Sequence, residues 1–352
     1  MDYQYPLLKK VFDHYNQAPH DARGRFLICC QHLMEPQMRM FEYLLKFGFP
    51  IERICILGKA YSTNYEVLGK LHTKGFHVIQ PKFSGISFDE EHKRNCYELL
   101  QLIHKDSQVI ILDDGAELIK TFLESNRNIA FAVEQTSSGF RRLESETTSF
   151  PIFNVARSII KLTQESPLVA HHLTDRVYNY LEEKKILNPI ILIVGLGSIG
   201  ESILEVFKQN KVKVEGFDIK YGHEDLLAKI HDFKPDIIIG ATGNPILTKA
   251  DVEMISLNRQ LFLISASSSD REFPVAFFRS SGGLHDDVTY KNITFVNNGF
   301  PFTFMGNRYE LTPVETEKTI YLLSGSVMHG VVNKIATSGL VEVPSELEDL
   351  IN

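Results

Sequence analysis

The sequence lacks the long apolar run that a membrane-spanning helix requires. No window of its 352 residues comes close to about 18 consecutive apolar residues. The first residues also lack the basic and apolar regions of a secretory signal. These absences predict a cytoplasmic protein that does not bind membranes.

Cysteine and positive charge are both scarce. The formal net charge is −7 and no basic run is present, which argues against nucleic acid as the main partner. Reduced thiols and no bound metal are expected, because the four cysteines show no metal-type spacing: Cys29, Cys30, Cys55 and Cys96.

What the chain does have is the composition of a soluble globular protein, with 43% hydrophobic and 23% charged residues. Its length allows two ordinary domain cores. From Arg25 to Val155, short apolar runs alternate with helical patterns, and the alternation resumes near residue 190. This alternation predicts crossover units and parallel sheets.

The most informative motif follows the apolar run Ile190–Val194, which predicts a strand buried on both faces. Gly195, Gly197 and Gly200 form a Gly-x-Gly-x-x-Gly turn before a predicted helix. The first glycine allows a tight turn, the second lets a pyrophosphate approach the backbone, and the third lets helix and strand pack closely. The helix N-terminus favours phosphate. The predicted cofactor contacts here are Gly195, Gly197, Ser198, Ile199 and Gly200.

A carboxylate in the right place supports this interpretation. Asp218 ends the next predicted strand, about 20 residues beyond the turn, where a ribose-binding acid is expected. It would accept hydrogen bonds from ribose hydroxyls and repel a 2′-phosphate, so NAD is favoured over NADP. A third strand ends in further predicted cofactor contacts, namely Thr242, Gly243 and Asn244. A doubly wound domain with an empty cleft remains the alternative.

Polar residues also follow the predicted strands of the first half. Ligands of parallel sheets bind outside the carboxyl ends of the strands. Polar residues gather at such ends in any α/β protein, so this clustering is moderate evidence for a site. The residues are His32, Ser62, Thr63, Asp114, Gln135, Thr136 and Asn154.

Together these patterns predict two Rossmann-like, doubly wound parallel-sheet α/β domains joined by a long helix. The first, at 1–165, would bind substrate, and the second, at 188–325, would bind NAD. The linking helix would span 166–187, and C-terminal helices at 326–352 would return toward the first domain. Near the end of the second domain, Ile293–Val296, Asn297–Gly299 and Phe300–Phe304 predict a hairpin.

Read in order, several of these stretches resemble the S-adenosylhomocysteine hydrolase family over residues 25–335. The matching stretches are Leu112–Gly115, Val133–Gly139, Pro151–Lys161, Gly195–Gly200, Asp218 and Thr242–Asn244. The family holds NAD tightly as an internal redox agent. The resemblance implies oxidation of a substrate ribose 3′-hydroxyl to a ketone, elimination at 5′, addition of water and reduction of the ketone.

The resemblance also implies roles for individual residues. Lys161 matches the lysine that removes the 3′-hydroxyl proton, and Glu165 lies where the family has an aspartate beside the substrate hydroxyls. Asp114 matches a carboxylate that acts near C4′ and C5′, and His32 lies where the family has an acid/base histidine. The expected substrate contacts are Ser62, Thr63, Gln135, Thr136 and His329.

The chain departs from the family at several positions. Gln135 replaces a glutamate that holds the ribose, Ser166 replaces an asparagine partner of the lysine, and Ser267 lies in a segment that lacks a family histidine. The family's C-terminal tail has no counterpart after Leu340. We therefore expect a divergent relative with weaker cofactor retention.

Structural roles remain possible for the same residues. Lys161 could be a solvated lysine, Asp114 could belong to an ordinary turn that caps a helix, and His32 could be a packed histidine. Three functions follow. The first is an adenosylhomocysteine-hydrolase-type enzyme acting on a nucleoside, in a homo-oligomer for which we expect a dimer. The second is an ordinary NAD-dependent dehydrogenase of the 2-hydroxyacid type, with His285 or His329 in its site. The third is a regulatory protein that binds NAD or a nucleoside without chemistry.

Overall fold

The computed structural model describes residues 5–85, 87–218, 220, 222–255, 259–280, 282–304 and 313–351. The chain divides into two compact units. Unit 1 contains Met1–Lys82, Glu91–Leu162 and Leu311–Asn352, and unit 2 contains Phe83–Glu90 and Thr163–Glu310. Each unit is built on a parallel or mostly parallel sheet, which confirms the predicted fold class.

Helices and strands alternate along the chain, as the apolar runs predict. Up to Leu162 the elements are α1 (Pro6–Tyr15), β1 (Phe26–Leu33), α2 (Glu35–Phe47), β2 (Ile54–Thr63), α3 (Tyr65–Thr73), β3 (His77–Ile79), α4 (Phe88–Gln101), β4 (Val109–Asp113), α5 (Glu117–Glu124), β5 (Ile129–Glu134), α6 (Ser137–Leu143) and β6 (Pro151–Asn154).

A π-helical turn, Lys161–Glu165, runs directly into the next helix. The remaining elements are α7 (Ser166–Glu183), β7 (Ile190–Val194), α8 (Ser198–Gln209), β8 (Lys213–Phe217), α9 (His223–Phe233), β9 (Ile237–Gly240), α10 (Lys249–Met254), β10 (Leu261–Ser265), β11 (Val288–Tyr290), β12 (Ile293–Phe295), α11 (Pro313–Val332), β13 (Gly339–Val341) and α12 (Ser345–Asp349).

The sheet of unit 1 has the strand order β13-β6-β5-β4-β1-β2-β3, with every pair parallel. One face packs against α1, α2, α3 and α11, and the other against α4 and α5. Central strands are buried on both faces, which explains runs such as Val109–Asp113. The chain order reverses between β4 and β1, so their carboxyl ends form the crevice where ligands of such sheets bind.

The sheet of unit 2 has the order β11-β12-β10-β9-β7-β8. All pairs are parallel except β11 with β12. The helices α7 and α8 cover one face, and α9 and α10 contribute to the core on the other. The order reverses between β7 and β9, and the glycine turn follows β7 at this point.

Two details of the sequence interpretation are wrong. The hairpin lies one strand earlier than predicted, because β11 pairs with β12 and turns at Lys291, whose φ is 53°. Val296–Gly299 is a tight turn in which Asn297 and Asn298 have left-handed φ angles of 54° and 55°, and Pro301 makes an isolated parallel bridge with Ser265. The strand β13 was not predicted, since its three residues take their register only from β6, far away in sequence.

Within the described part of the chain, no helix has the length and apolar character needed to cross a bilayer.

Candidate functional site

The site in unit 1 begins with an irregularity of β2. Pairing with β1 is regular up to Gln31 and Gly58, and it resumes at Leu33 and Thr63. Extra residues of β2 therefore lie opposite His32, and the strand bulges there. Bulges of this kind redirect side chains next to binding sites.

Four side chains meet at this bulge, and we call them the polar cluster: His32, Lys59, Ser62 and Asp114. His32 Nε2 lies 3.1 Å from Asp114 Oδ2, and His32 Nδ1 lies 2.6 Å from Ser62 Oγ. Lys59 Nζ makes an ion pair with Asp114 Oδ1. The side chains of Lys59 and Asp114 are only 3% and 1% exposed, whereas that of His32 is 12% exposed. His32 is therefore the member that a substrate can reach most easily.

The charges of the cluster are mutually dependent. Burial by itself raises the pKa of Asp114, but Lys59 and His32 outweigh burial and hold that pKa well below its usual range. Burial lowers the pKa of Lys59, and the Asp114 carboxylate reverses this and raises it. Both groups are consequently charged in the folded protein, in a place where either charge alone would be unfavourable.

Two further buried carboxyl groups shape the turn after β4. Asp113 accepts hydrogen bonds from the backbone N–H of Asp114 (2.8 Å) and Ile119 (2.9 Å). Glu134 accepts from the N–H of Gly115 (3.1 Å) and Ala116 (3.0 Å). Burial is the main cause that raises the pKa of Asp113 to about 6. Burial also raises the pKa of Glu134, to about 8, and the negative charges of Asp113 and Asp114 contribute to this second shift. These carboxyls hold the backbone that presents Asp114.

The other predicted substrate contacts of unit 1 lie around this turn. Thr136 caps α6, accepting from the Gly139 N–H, and its hydroxyl donates to Glu134. Gln135 is buried, and its Oε1 has no hydrogen-bond partner among the described residues. Thr63 donates to the Lys59 carbonyl oxygen at 2.7 Å. Thr136 and Thr63 thus hold the site's backbone.

Lys161, Glu165 and His329 belong to other segments of the chain. Lys161 begins the π-helical turn in unit 1, its backbone N–H donating to Ser158 Oγ at 3.3 Å, and Glu165 ends that turn in unit 2. Such turns are frequent at functional sites. His329 belongs to a separate group in which its Nδ1 lies 2.8 Å from Glu346 Oε1 and 3.2 Å from the Tyr15 hydroxyl. His329, Glu346 and Phe153 line a cavity of about 300 Å³ near the C-terminal segment.

In unit 2 the glycine turn has the geometry that its sequence predicts. Gly195 has a φ of 100°, which favours glycine. A Cβ added to Gly200 would lie 1.8 Å from the Gly195 carbonyl oxygen, so strand and helix pack too closely for any side chain there. A Cβ added to Gly197, the N-cap of α8, would meet no described atom within 4 Å. Open space therefore lies before the α8 N-terminus, which Ser198 and Ile199 begin.

Asp218 follows β8 and lies beside this turn. Its carboxylate accepts hydrogen bonds from the backbone N–H of Leu196 at 3.4 Å and of Lys220 at 3.0 Å. The backbone hydrogen bond from Lys220 is the main cause that lowers the pKa of Asp218. A charged carboxylate is thus held next to the open space at the glycine turn.

The predicted contacts after β9 are held by a carboxylate that the sequence interpretation missed. Glu272 is fully buried and accepts from the N–H of Thr242 (2.6 Å) and Gly243 (3.0 Å) and from the hydroxyl of Ser265 (2.7 Å). The N–H of Asn244 donates to Thr242 Oγ1 at 2.9 Å. Glu272 therefore joins the carboxyl ends of β9 and β10.

Lys59 was also missed, although the sequence carries a signal for it. It is a cation within the otherwise uncharged strand sequence Ile54–Thr63, all of whose residues are buried. A lysine in such a strand requires a buried counter-ion. The sequence does not tell which acid supplies it.

Comparisons with known proteins give relatives without an assigned activity. The chain is 30% identical over 308 residues to two uncharacterized proteins of Mycobacterium tuberculosis, MT0113 of strain CDC 1551 / Oshkosh and Rv0104 of strain H37Rv. The match covers 81% of this chain and 60% of each relative, so the chain spans less than two thirds of the relatives' length. No protein-family model matches the chain.

Solved structures resemble the chain only loosely. A dipicolinate synthase chain from Bacillus halodurans has a TM-score of 0.40 and 11% identity, covering 89% of this chain and 100% of its own. A D-isomer specific 2-hydroxyacid dehydrogenase from Xanthobacter autotrophicus Py2 has a TM-score of 0.39 and 8% identity, covering 90% and 99%. The fold class rests on the strand order of the two sheets.

Proposed function

We propose that this protein is an NAD-dependent enzyme of the adenosylhomocysteine-hydrolase type, acting on a nucleoside or related ribosyl substrate. The observation that carries the proposal is the glycine turn of unit 2 with Asp218 hydrogen-bonded beside it. A second support is the polar cluster of unit 1, which lies at the strand-order reversal of its own sheet.

The residues of the turn fit a dinucleotide. The space before Gly197 and the free N–H groups at the start of α8 suit a pyrophosphate. The charged Asp218 carboxylate lies beside the glycine turn. It suits the two hydroxyls of an adenosine ribose and disfavours a 2′-phosphate. NAD is therefore the cofactor we propose, and when bound it supplies a reversible oxidant for the substrate's 3′ carbon.

The residues of unit 1 have complementary tasks in this proposal. Lys161 takes the proton of the 3′-hydroxyl, and His32 with Asp114 handles the proton at C4′, which becomes acidic once C3′ is a ketone. Glu165 holds the substrate hydroxyls. Gln135 offers a buried amide oxygen in place of a carboxylate, so it can accept a hydrogen bond from the ribose without repelling other anions.

Replacing Lys161 by alanine tests the proposal. The variant should bind NAD as the wild type does, because the proposed cofactor contacts lie in unit 2, yet adenosine should no longer reduce the bound cofactor. Absorbance of the reduced nicotinamide reports reduction, and calorimetry reports NAD affinity. The exposed Lys185 at the end of α7 gives a control variant, Lys185→Ala, which should behave like the wild type.

Four other outcomes would contradict this function. Full reduction in Lys161→Ala would remove the lysine from the chemistry, and loss of NAD binding would make it structural. Binding of NAD and adenosine by the wild type without any redox change would favour a regulatory binding protein. Net release of reduced cofactor over many turnovers would favour an ordinary dehydrogenase.

A further inference from the structure

Lys59 is a member of the polar cluster to which neither the sequence pattern nor the proposed function gives a role. Its ammonium group is buried, and its ion pair is with Asp114, the same carboxylate that lies against His32. One carboxylate therefore contacts both a permanent cation and an imidazole. Each contact uses a different carboxylate oxygen of Asp114: Oδ1 pairs with Lys59, and Oδ2 lies next to His32.

This arrangement determines which nitrogen of the neutral His32 ring carries hydrogen. An ionised carboxylate can only accept, so Nε2, 3.1 Å from Asp114 Oδ2, carries the proton. Nδ1 is then the basic nitrogen, and the Ser62 hydroxyl, 2.6 Å away, donates to it. This tautomer is fixed only while Asp114 stays ionised, and Lys59 is the group that keeps it so.

We propose that Lys59 is a positioning residue that keeps Asp114 an anion, and thereby makes Nδ1 of His32, rather than the Asp114 carboxylate, the base that takes up and returns a proton through the Ser62 hydroxyl. This inference rests on the proposed function for the identity of that proton, the one at C4′. The assignment of the tautomer does not depend on it.

The proton balance of the step is simple. The C4′–H bond breaks, its electron pair stays on the substrate carbon next to the 3′ ketone, and the proton moves to the Ser62 oxygen while the hydroxyl's own proton moves to Nδ1. Ser62 thus remains a hydroxyl and accepts the new N–H of the imidazolium. The imidazolium is held by Asp114, and Lys59 prevents the carboxylate from taking the proton itself. The reverse movement returns the proton.

Other charged or titratable groups lie around the cluster. On β2, Tyr61 presents its ring edge to His32, with centroids 6.2 Å apart. Asp113 and Glu134 face Asp114 from the ends of β4 and β5 but are occupied by backbone N–H groups. On β1, Cys30 lies 3.4 Å from His92 of α4, and burial raises the pKa of that thiol. Within the polar cluster, Lys59 makes the ion pair with Asp114 and Ser62 contacts His32.

Nitrogen NMR of the full chain, labelled at histidine, tests the tautomer directly. The His32 signals are identified by their loss in His32→Asn. We expect the Nε2–H form in the neutral wild-type ring. In Lys59→Met, Asp114 is no longer held as an anion, and a protonated carboxyl donates to Nε2, so the neutral ring should show the Nδ1–H form in place of the Nε2–H form or beside it. A wild-type Nδ1–H form, or an unchanged tautomer in Lys59→Met, would overturn the proposal.

A second variant and a control guard against a merely structural effect. If Lys59→Met does not fold, Lys59→Gln keeps a hydrogen-bond donor for Asp114 without the charge, and the same change of tautomer is expected. Lys82→Met removes a lysine whose side chain is 72% exposed and paired with Glu98, and it should leave His32 unchanged. Failure of both Lys59 variants to fold would make Lys59 a structural residue and would overturn the positioning role.

A kinetic measurement separates this inference from the proposed function. The NAD-loaded protein is incubated with adenosine in deuterated water, and deuterium at C4′ is followed by NMR. In Lys59→Met or Lys59→Gln the acid limb of the rate profile should move about one pH unit upward, with the high-pH rate within about threefold of wild type. A uniform loss of rate at every pH would contradict the positioning role. Absence of exchange in the wild type, with the expected tautomer, would refute the proposed function and leave the role of Lys59 toward His32 intact.

Discussion

Alanine at Gly200 tests the packing on which the whole dinucleotide turn depends. The added Cβ would lie 1.8 Å from the Gly195 carbonyl oxygen and 2.9 Å from its carbonyl carbon. Both atoms are backbone, so no flexible side chain can give way. The start of α8 would have to move away from β7 by more than about 1 Å, and this helix buries Ile203 and Phe207 in the core of unit 2.

Overpacking of a core lowers the free energy of unfolding by about 1–3 kcal/mol, and a clash with backbone atoms belongs at the upper end of this range. A loss of about 3 kcal/mol lowers the melting temperature of a unit of this size by roughly 6–12 °C. Thermal denaturation followed by circular dichroism measures this. A Gly200→Ala variant that melts with the wild type would refute the close helix–strand packing.

Gly197→Ala is the matched control within the same turn. Its φ of −83° and ψ of −173° suit alanine, and the new methyl meets no described atom within 4 Å. The melting temperature should therefore stay within about 2 °C of wild type, since the loss of a glycine N-cap and the gain from a stiffer unfolded chain offset each other. The methyl does occupy the space proposed for the pyrophosphate, so NAD affinity should fall by about tenfold or more. Unchanged affinity would mean that NAD does not bind at this turn.

Two further predictions concern buried ionisable groups. The free thiols of Cys29, Cys30, Cys55 and Cys96 are all buried, so a thiol reagent should modify none of them in the folded protein and all after denaturation; rapid reaction of the native protein would contradict their burial. Burial raises the pKa of Asp113 to about 6 and that of Glu134 to about 8, so the folded chain keeps protons that the unfolded chain has already released, and the free energy of unfolding should decrease from about pH 4 to pH 8. Denaturant titrations across this range should show a smaller decrease in the free energy of unfolding for Glu134→Gln than for the wild type, and each unit of pKa corresponds to about 1.4 kcal/mol. An equal decrease in the two proteins would show that Glu134 does not hold the proton.

The sequence allowed the strands and the glycine turn to be predicted because their signals are local. A buried parallel strand is a short apolar run, and the turn needs glycine at fixed positions. Gly195 and Gly200 have the backbone geometry that such a turn requires. Asp218 could be found because its distance from the turn along the chain is set by one helix and one strand.

The polar cluster could be predicted only in part, because its contacts join separate strands. His32 and Asp114 were both expected at a site because they follow predicted strands, and they lie 3.1 Å apart. Lys59 was not expected there, since the bulge that carries it depends on how β2 pairs with β1. Glu272 was missed for a similar reason. Its partners are backbone groups of Thr242 and Gly243, which no side-chain pattern reveals.

The most direct test of the proposed function is to add adenosine to purified protein loaded with NAD and follow absorbance in the near ultraviolet. We expect a rise that saturates near one reduced cofactor per site, because the oxidant is held and not released, and S-adenosylhomocysteine should then be tested in the same way. No rise, with NAD confirmed in the protein by mass spectrometry, would contradict the proposed oxidation at the 3′ carbon.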